Sequence, residues 1–253
     1  MIEALDHIVA STAALEAGIR GCELVLGRRA EHGVIGLGNV RLAIRDAVGA
    51  EGLTSLCFAV GDPVKAQSLL ERRGLPTRQE ADGLHVAPLA THGVPVTLAA
   101  RRTHALSPLA DADADPDAAV AGLDHVVIRT PDPERAVALY AGRLGLSLRL
   151  DRSEPAWGAR LLFFRCGDLV VEVAHELKRG IGEGPDRLWG LSWRVPDIAK
   201  AHGRLRAAGV EVSAIRAGRR PHTEVFTVKS HTAGVPTLML GPDPRQKDGE
   251  RRR

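Results

Sequence analysis

Apolar and β-branched residues cluster into short runs along the chain, and the clearest example begins after residue 121. Residues 125–129 read His-Val-Val-Ile-Arg, a composition that predicts a strand. The next residues, Thr-Pro-Asp-Pro, predict the start of a helix, with Asp132 as the N-cap and Pro133 in the first turn. We therefore expect a strand followed closely by a helix.

This helix is predicted to be amphipathic and to end near Gly145. Its expected buried face consists of Ala136, Leu139 and Tyr140. Three further runs predict strands at 147–150, 160–165 and 169–174, and Cys-Gly-Asp between the last two fits a hairpin turn. The predicted order of elements is βαβββ.

The same signals recur elsewhere in the chain. Residues 5–9, Leu-Asp-His-Ile-Val, match residues 123–127, Leu-Asp-His-Val-Val. Residues 60–66 match residues 195–201, where each segment carries an Asp followed three and four residues later by Lys and Ala. These matches predict four units of about 50 to 60 residues, a period typical of a repeated supersecondary element.

One segment breaks the pattern. Residues 106–120 are rich in Asp, Ala and Pro, show no strand or helix periodicity, and predict a linker. It separates a predicted N-terminal domain at 1–105 from a predicted C-terminal domain at 121–243. Residues 244–253 are expected to form a basic, solvated tail.

Residues 123–146 read LDHVVIRTPDPERAVALYAGRLGL, and this segment resembles the opening module of the vicinal oxygen chelate superfamily. That superfamily includes glyoxalase I, extradiol dioxygenases, methylmalonyl-CoA epimerase and bleomycin-resistance proteins. The resemblance implies an α+β fold in which four βαβββ modules form two tandem, open, eight-stranded barrels. It does not identify the reaction, because one scaffold hosts many chemistries.

Composition and charge narrow the partners. The chain has 34 basic and 31 acidic residues, and part of the small excess lies in the tail, so we expect no nucleic-acid partner. No apolar run is long enough to span a membrane, and the N-terminus does not resemble a secretory signal. We expect a small-molecule ligand, and the sequence leaves open whether the chain forms a homodimer.

The three cysteines are odd in number and lack the spacing of metal ligands. They argue against a disulfide scaffold and against a Cys-based zinc site, and they fit a cytoplasmic protein. Seven of the eight aromatic residues lie in the C-terminal half, which indicates either a ligand pocket there or simply a larger core.

The resemblance implies metal ligands on the first and fourth strands of a module, which here are His125 and Glu172. Glu172 lies in an otherwise apolar run, where a carboxylate is costly unless it is paired. Divalent Fe, Mn, Ni or Zn accepts such ligands. The alternative is a buried histidine–carboxylate pair that orders two strands.

The other units depart from this pattern. In the fourth unit Gly190 and Met239 take the ligand positions, and His222, Glu224 and His231 remain open as substitutes. In the first two units the corresponding residues are His7, Ala43, Ser55 and Leu98. The N-terminal domain is therefore predicted to be degenerate, with His7 as a structural residue.

Arginines give a second signal. Arg129 and Arg194 each lie four residues after a ligand position, and residues four apart on a strand share a face. They are predicted to bind an anionic ligand, together with Trp193, Phe226 and His222. Arg216, Arg219 and Arg220 could close over the same anion, and the alternative for these arginines is ordinary surface salt bridging.

The sequence thus predicts a glyoxalase/dioxygenase-like protein that acts on a small anionic or vicinal-oxygen metabolite in a C-terminal pocket. The expected chemistry is metal-assisted lyase, isomerase or ring-cleavage chemistry, with His125 and Glu172 as catalytic metal ligands. The alternative is a metal-free protein that sequesters a small molecule.

Overall fold

The computed structural model describes residues 1–49, 51–101 and 115–243. Residues 106–114 of the predicted linker and the predicted tail at 244–253 lie outside this described part. At the end of the predicted linker, Ala118 to Val120 are buried, and the amide of Val120 donates to the carbonyl of Leu26 at 2.9 Å.

The N-terminal part of the chain forms the first of two sheets. Its strands are β1 Ile2–Thr12, β2 Ala30–Glu31, β3 Val34–Gly36, β4 Arg41–Asp46, β5 Gly52–Val60, β6 Thr77–Glu80, β7 Gly83–Val86 and β8 Val96–Ala100. The order across the sheet is β2-β3-β4-β1-β5-β8-β7-β6. Two helices interrupt the strands, α1 Leu15–Leu26 and α2 Pro63–Arg72.

The C-terminal part forms the second sheet with the same design. Its strands are β9 Gly122–Arg129, β10 Ser147–Glu154, β11 Ala159–Cys166, β12 Leu169–Glu176, β13 Arg187–Arg194, β14 Arg216–Ala217, β15 Thr223–Val228 and β16 Thr237–Pro242. The order across the sheet is β10-β11-β12-β9-β13-β16-β15-β14. Its helices are α3 Pro133–Val137 and α4 Ile198–Ala207.

Each sheet is built from two βαβββ modules, so the predicted fold class is confirmed. Both sheets are open, because the strand order of each ends on an edge strand. The predicted helix start is also present, since the Asp132 carboxylate accepts hydrogen bonds from the amides of Glu134 and Arg135. The predicted strands are longer than expected, because pairing extends them beyond their apolar cores.

Helix α3 does not stay α-helical. It continues as a π-helix over Ala138–Arg143, and the amide of Leu144 donates to the carbonyl of Leu139, five residues earlier. The predicted end near Gly145 holds, and Tyr140 is fully buried with its ring 5.5 Å from that of Phe164. Single-turn π segments often accompany functional sites.

The described chain divides into two compact units. The first unit contains residues 1–9, 53–101 and 125–189. The second unit contains residues 10–49, 51–52, 115–124 and 190–243. The predicted domain boundaries at 105, 121 and 243 stay a prediction. Among the described residues, no helix has the length and hydropathy that crossing a bilayer requires.

Candidate functional site

Strand register brings the predicted ligands together on one face of the second sheet. Directly paired residues point to the same face, and residues two apart on one strand share that face. Glu172 pairs with Val127 on β9, two residues after His125, and with Phe163 on β11. His125, Glu172 and Phe163 therefore share a face.

The two predicted ligands lie close to each other and are partly buried. Nε2 of His125 lies 3.6 Å from Oε2 of Glu172, and the side chains are 16% and 12% exposed. Both residues remain reachable from one side of the sheet, while Val171 and Val173 beside Glu172 are fully buried. The strand therefore presents this carboxylate toward a partner and keeps its apolar neighbours in the core.

The pair fits a metal ion as two adjacent ligands. Two bonds of about 2.1 Å at a tetrahedral angle place donor atoms about 3.4 Å apart, close to the separation between His125 and Glu172. Within residues 1–49, 51–101 and 115–243, no third His, Cys, Asp or Glu completes this pair to a cluster. Ligand oxygens or water would have to occupy the other positions.

Arg129 lies on the same face, two strand positions beyond Val127, and pairs with Ala174. Its guanidinium carbon is 4.2 Å from the ring centroid of Trp189, a cation–π arrangement. Trp189 is 41% exposed. The stack orients a positive charge at an accessible edge of the face that holds His125 and Glu172.

A buried clamp supports this edge. Thr130, the residue after Arg129, donates from Oγ1 to Oδ1 of Asp186 at 2.7 Å. Arg135 of α3 donates to the same oxygen at 2.7 Å, and Asp186 is 1% exposed. Because Asp186 lies three residues before Trp189, the clamp fixes both strands that carry the Arg129–Trp189 stack.

The clamp has unused hydrogen-bonding capacity. Oδ2 of Asp186, Nε of Arg135 and the hydroxyl of Tyr140 have no hydrogen-bond partner among the described residues. Burial, and then the charge of Asp186, raise the pKa of Tyr140 well above its usual range. His92, whose carbonyl accepts from the amide of Asp186, has a pKa lowered by burial and by the charge of Arg135.

The fourth module lacks both ligands, as predicted, but one assignment is off by one residue. The strand register pairs Leu238 with Ser192, two residues after Gly190, so Leu238 and not Met239 corresponds to Glu172. A shift of one residue moves a side chain to the opposite face, and Met239 is fully buried there. A Cβ at Gly190 would lie 2.7 Å from the carbonyl oxygen of Pro236, so no side chain fits there.

The structure does not bring every predicted ligand-binding residue into the candidate site. Trp193 and Phe226 are 2% and 0% exposed, and both pair with Met239, so they occupy the core. Phe226 packs edge-on against His202 of α4, with ring centroids 5.0 Å apart. These aromatic residues fill the space under the helix, which is the alternative that the sequence left open.

The remaining predicted polar residues lie in the second unit. Arg194 is partly buried at the end of β13. His222 is exposed in a turn, with a φ of 62°. Arg220 donates two hydrogen bonds to the buried carboxylate of Asp124, at 3.1 and 3.4 Å, so it takes part in a salt bridge.

Sequence analysis missed two groups of donor residues in the N-terminal part. In each group three donor atoms lie within 4.8 Å of one another. The groups are Asp6, His7 and Cys57, and Glu80, Asp82 and His85. Sequence spacing could not reveal the first group because its members come from β1 and β5, which are distant in the sequence.

By sequence, the chain is similar to one protein family and to one individual protein. A sequence model described as the glyoxalase/bleomycin resistance protein/dioxygenase superfamily matches residues 124–226. An ethylmalonyl-CoA/methylmalonyl-CoA epimerase from Cereibacter sphaeroides is 31% identical over 97 residues, which cover 36% of this chain and 72% of that protein.

Solved structures resemble nearly the whole chain. A variant of 4-hydroxymandelate synthase from Streptomyces coelicolor gives a TM-score of 0.70 at 12% identity, covering 96% of this chain and 93% of that one. The Mn(II)-bound glyoxalase from Novosphingobium aromaticivorans gives 0.69 at 13% identity, covering 95% and 82%. At these identities the likeness shows the fold alone.

Proposed function

This chain belongs to the glyoxalase/bleomycin resistance protein/dioxygenase superfamily, the vicinal oxygen chelate proteins, and from that premise we propose that it is an isomerase-type enzyme. It moves a proton next to a carbonyl group in a small anionic acyl metabolite. The observation that carries the proposal is the His125–Glu172 pair, 3.6 Å apart on one accessible face with Arg129.

Glu172 is the proposed base. Its carboxylate lies on an accessible face of the sheet, where it can accept a proton from a bound ligand. Glu172 takes the proton from the carbon next to the carbonyl, which gives an enolate. A water molecule protonates the other side of that carbon to give the epimer, and Glu172 returns its proton to the hydroxide that remains. His125, whose Nε2 lies 3.6 Å from the carboxylate, positions it beside the ligand.

A divalent ion would be held by His125 and by one carboxylate oxygen of Glu172, and it would supply Lewis acidity toward a ligand oxygen. The other carboxylate oxygen of Glu172 would remain to accept the proton. Fe, Mn, Ni and Zn stay the candidates. Metal dependence is read directly from activity before and after treatment with a chelator.

Arg129 is the proposed anchor for the ligand's carboxylate. Its planar guanidinium can form two parallel hydrogen bonds to one carboxylate, and Trp189 keeps it oriented. The epimerase from Cereibacter sphaeroides supports a malonyl-type thioester as the substrate class, because such a compound carries a carbonyl and a carboxylate on the same carbon.

The test is solvent deuterium exchange followed by NMR, with methylmalonyl-CoA as the probe. The wild-type protein should incorporate deuterium at the carbon between the two carbonyl groups. Glu172→Gln should slow exchange by at least about a hundredfold, the typical worth of a positioned acid–base group. Glu51→Gln, the same change at an exposed position, should exchange at the wild-type rate.

Urea unfolding curves provide the control for folding. Wild-type exchange in Glu172→Gln, or no exchange in the wild type, would overturn the proposal. Ring cleavage would instead consume oxygen with a catechol, and lyase chemistry would release a fragment.

A second candidate is the metal-free binding protein. It is favoured by the fact that only two donor residues are present at the His125–Glu172 site in the described part of the chain. Calorimetry separates the two functions, because a binding protein would hold methylmalonyl-CoA saturably and leave its exchange at the uncatalysed rate.

We also infer a cytoplasmic location. Cys22, Cys57 and Cys166 are buried thiols that form no disulfide, as expected in a reducing compartment. Burial raises the pKa of Cys22 and of Cys166 to about 12, so both are unreactive. A homodimer stays a prediction, and sedimentation equilibrium tests it.

A further inference from the structure

The first sheet has its own row of polar side chains on one face. Strand register pairs Cys57 of β5 with Thr97 of β8, Thr97 with His85 of β7, and His85 with Arg78 of β6. Directly paired residues share a face, so these four side chains lie side by side across four strands. All belong to the first unit.

Strand β1 adds two donors beside Cys57. Ligand atoms of Asp6, His7 and Cys57 all lie within 4.8 Å of one another, and Nδ1 of His7 is 2.8 Å from Oδ2 of Asp6. The thiol is 1% exposed, and the side chains of Asp6 and His7 are 9% and 28% exposed. The group is thus partly buried, and the imidazole is its most exposed member.

These donors differ from those of the second sheet. The strand register, applied as for Leu238 in the fourth module, makes Thr97 and not Leu98 the counterpart of Glu172. Leu98 lies fully buried on the other face. The position therefore has no carboxylate, and the third donor is the sulfur of Cys57. A thiolate next to an imidazole and a carboxylate favours Zn²⁺ or Co²⁺ over Mn²⁺ or Mg²⁺.

We propose that Asp6, His7 and Cys57 form a second metal site that takes a thiophilic divalent ion such as Zn²⁺. Three protein ligands leave a fourth tetrahedral position open to water or to a small ligand, the arrangement of catalytic rather than structural zinc sites. This site is independent of the proposed function of His125 and Glu172.

The surroundings of the site favour a cation. Asp82 is the partner of His85 in the row that leads to Cys57, and the hydrogen bond from His85 lowers the pKa of Asp82. Oδ1 of Asp82 is 2.7 Å from Nε2 of His85, and a carboxylate oxygen of Glu80 is 3.9 Å from the same nitrogen. Negative charge near a metal position raises the local concentration of cations.

This proposal revises the expectation that the cysteine spacing excludes a Cys-based site. Spacing along the chain identifies sites built from one loop or hairpin, whereas these ligands come from adjacent strands that are about 50 residues apart in sequence. It also revises the expectation that His7 is only structural.

The test is titration of the full-length protein with Co²⁺, followed by absorbance. A cobalt–thiolate bond gives a charge-transfer band in the near ultraviolet, and a cobalt ion bound only through nitrogen and oxygen at His125 and Glu172 does not. The wild-type protein should develop this band with one equivalent of Co²⁺, and Zn²⁺ should abolish it by displacement. Cys57→Ser should lose the band, whereas Cys22→Ser, at another buried thiol, should keep it.

A second variant protects the test against misfolding of Cys57→Ser. His7→Gln keeps the thiol and should weaken cobalt binding at least tenfold, since even the outer-shell partners of metal ligands typically contribute that much. The absence of a band in the wild-type protein, or its persistence in Cys57→Ser, would overturn the proposal. Wild-type cobalt affinity in His7→Gln would do the same.

Discussion

The first strand of each sheet ends in a related way. The difference between these two strand ends distinguishes the two halves of the molecule. Thr12 and Thr130 occupy equivalent positions, and each hydroxyl donates to a carboxylate, Glu51 in the first half and Asp186 in the second. The first hydrogen bond is 3.3 Å long with an exposed acceptor, and the second is 2.7 Å long with a fully buried acceptor.

Each carboxylate also has a second donor, which is the backbone amide of Ala13 for Glu51 and the side chain of Arg135 for Asp186. Arg135 donates to Asp186, whereas the equivalent position in the first half is Ala17. A buried carboxylate requires such a partner, and the resulting clamp holds the strand ends that carry Arg129 and Trp189. Both halves contain this hydrogen bond. Only the half with the His125–Glu172 pair buries the acceptor and pairs it with an arginine.

The largest expected effect concerns this clamp. Asp186→Ala should lower the free energy of unfolding by about 3 kcal/mol, because it leaves the partly buried charge of Arg135 without its partner. Glu51→Ala should lower it by less than about 1 kcal/mol, because Glu51 is exposed. Urea unfolding measures both, and equal losses would show that the two clamps do not differ in strength.

A smaller effect is expected at the anion anchor. The first-half residue equivalent to Arg129 is Ser11, so Arg129→Ser makes the second half resemble the first at this position. Loss of a charged hydrogen bond worth about 1.5 to 3 kcal/mol should weaken binding of a malonyl-type ligand tenfold or more. Calorimetry measures the affinity, and the unfolding free energy should change by no more than about 1 kcal/mol. An unchanged affinity would remove Arg129 from the site.

The smallest effect concerns the outer edge of the second sheet. Hydrogen bonds from Arg160 lower the pKa of Asp151. The equivalent strands of the first half, β2 and β3, are only two and three residues long. Because the folded pKa lies below the unfolded value of 3.8, the stabilisation is present above that pH and is lost as the pH falls through the folded pKa.

Asp151→Asn should therefore cost about 0.5 kcal/mol at pH 7, as for other exposed ion pairs. The difference from the wild type in urea unfolding should shrink as the pH falls below 3.8. A difference that is constant between pH 7 and pH 3 would assign the effect to packing instead of charge.

Much of the fold was predictable because the repeated units have similar local sequence signals for strands and for helix starts. The Asp-Pro helix starts at Asp62 and Asp132 and the strand runs around His125 predicted both the modules and their order. The pairing of His125 with Glu172 followed from the resemblance, and the register places the two residues on the same face.

Other features depend on contacts between segments that are distant in the sequence. Met239 was assigned to the place of Leu238 because an apolar run does not show which of two neighbours faces the core. Trp193 and Phe226 are suited to either a pocket wall or a core, and packing under α4 decided for the core. The approach of Cys57 to His7 depends on the pairing of two strands.

We propose that the face with His125 and Glu172 carries the reaction and that the first half does not. The most direct test is deuterium exchange into methylmalonyl-CoA, measured side by side for the wild type, Glu172→Gln and Glu51→Gln. We expect wild-type exchange in Glu51→Gln and a loss of at least about a hundredfold in Glu172→Gln with an unchanged unfolding curve. Exchange at the wild-type rate in Glu172→Gln, or an equal loss in both variants, would contradict it.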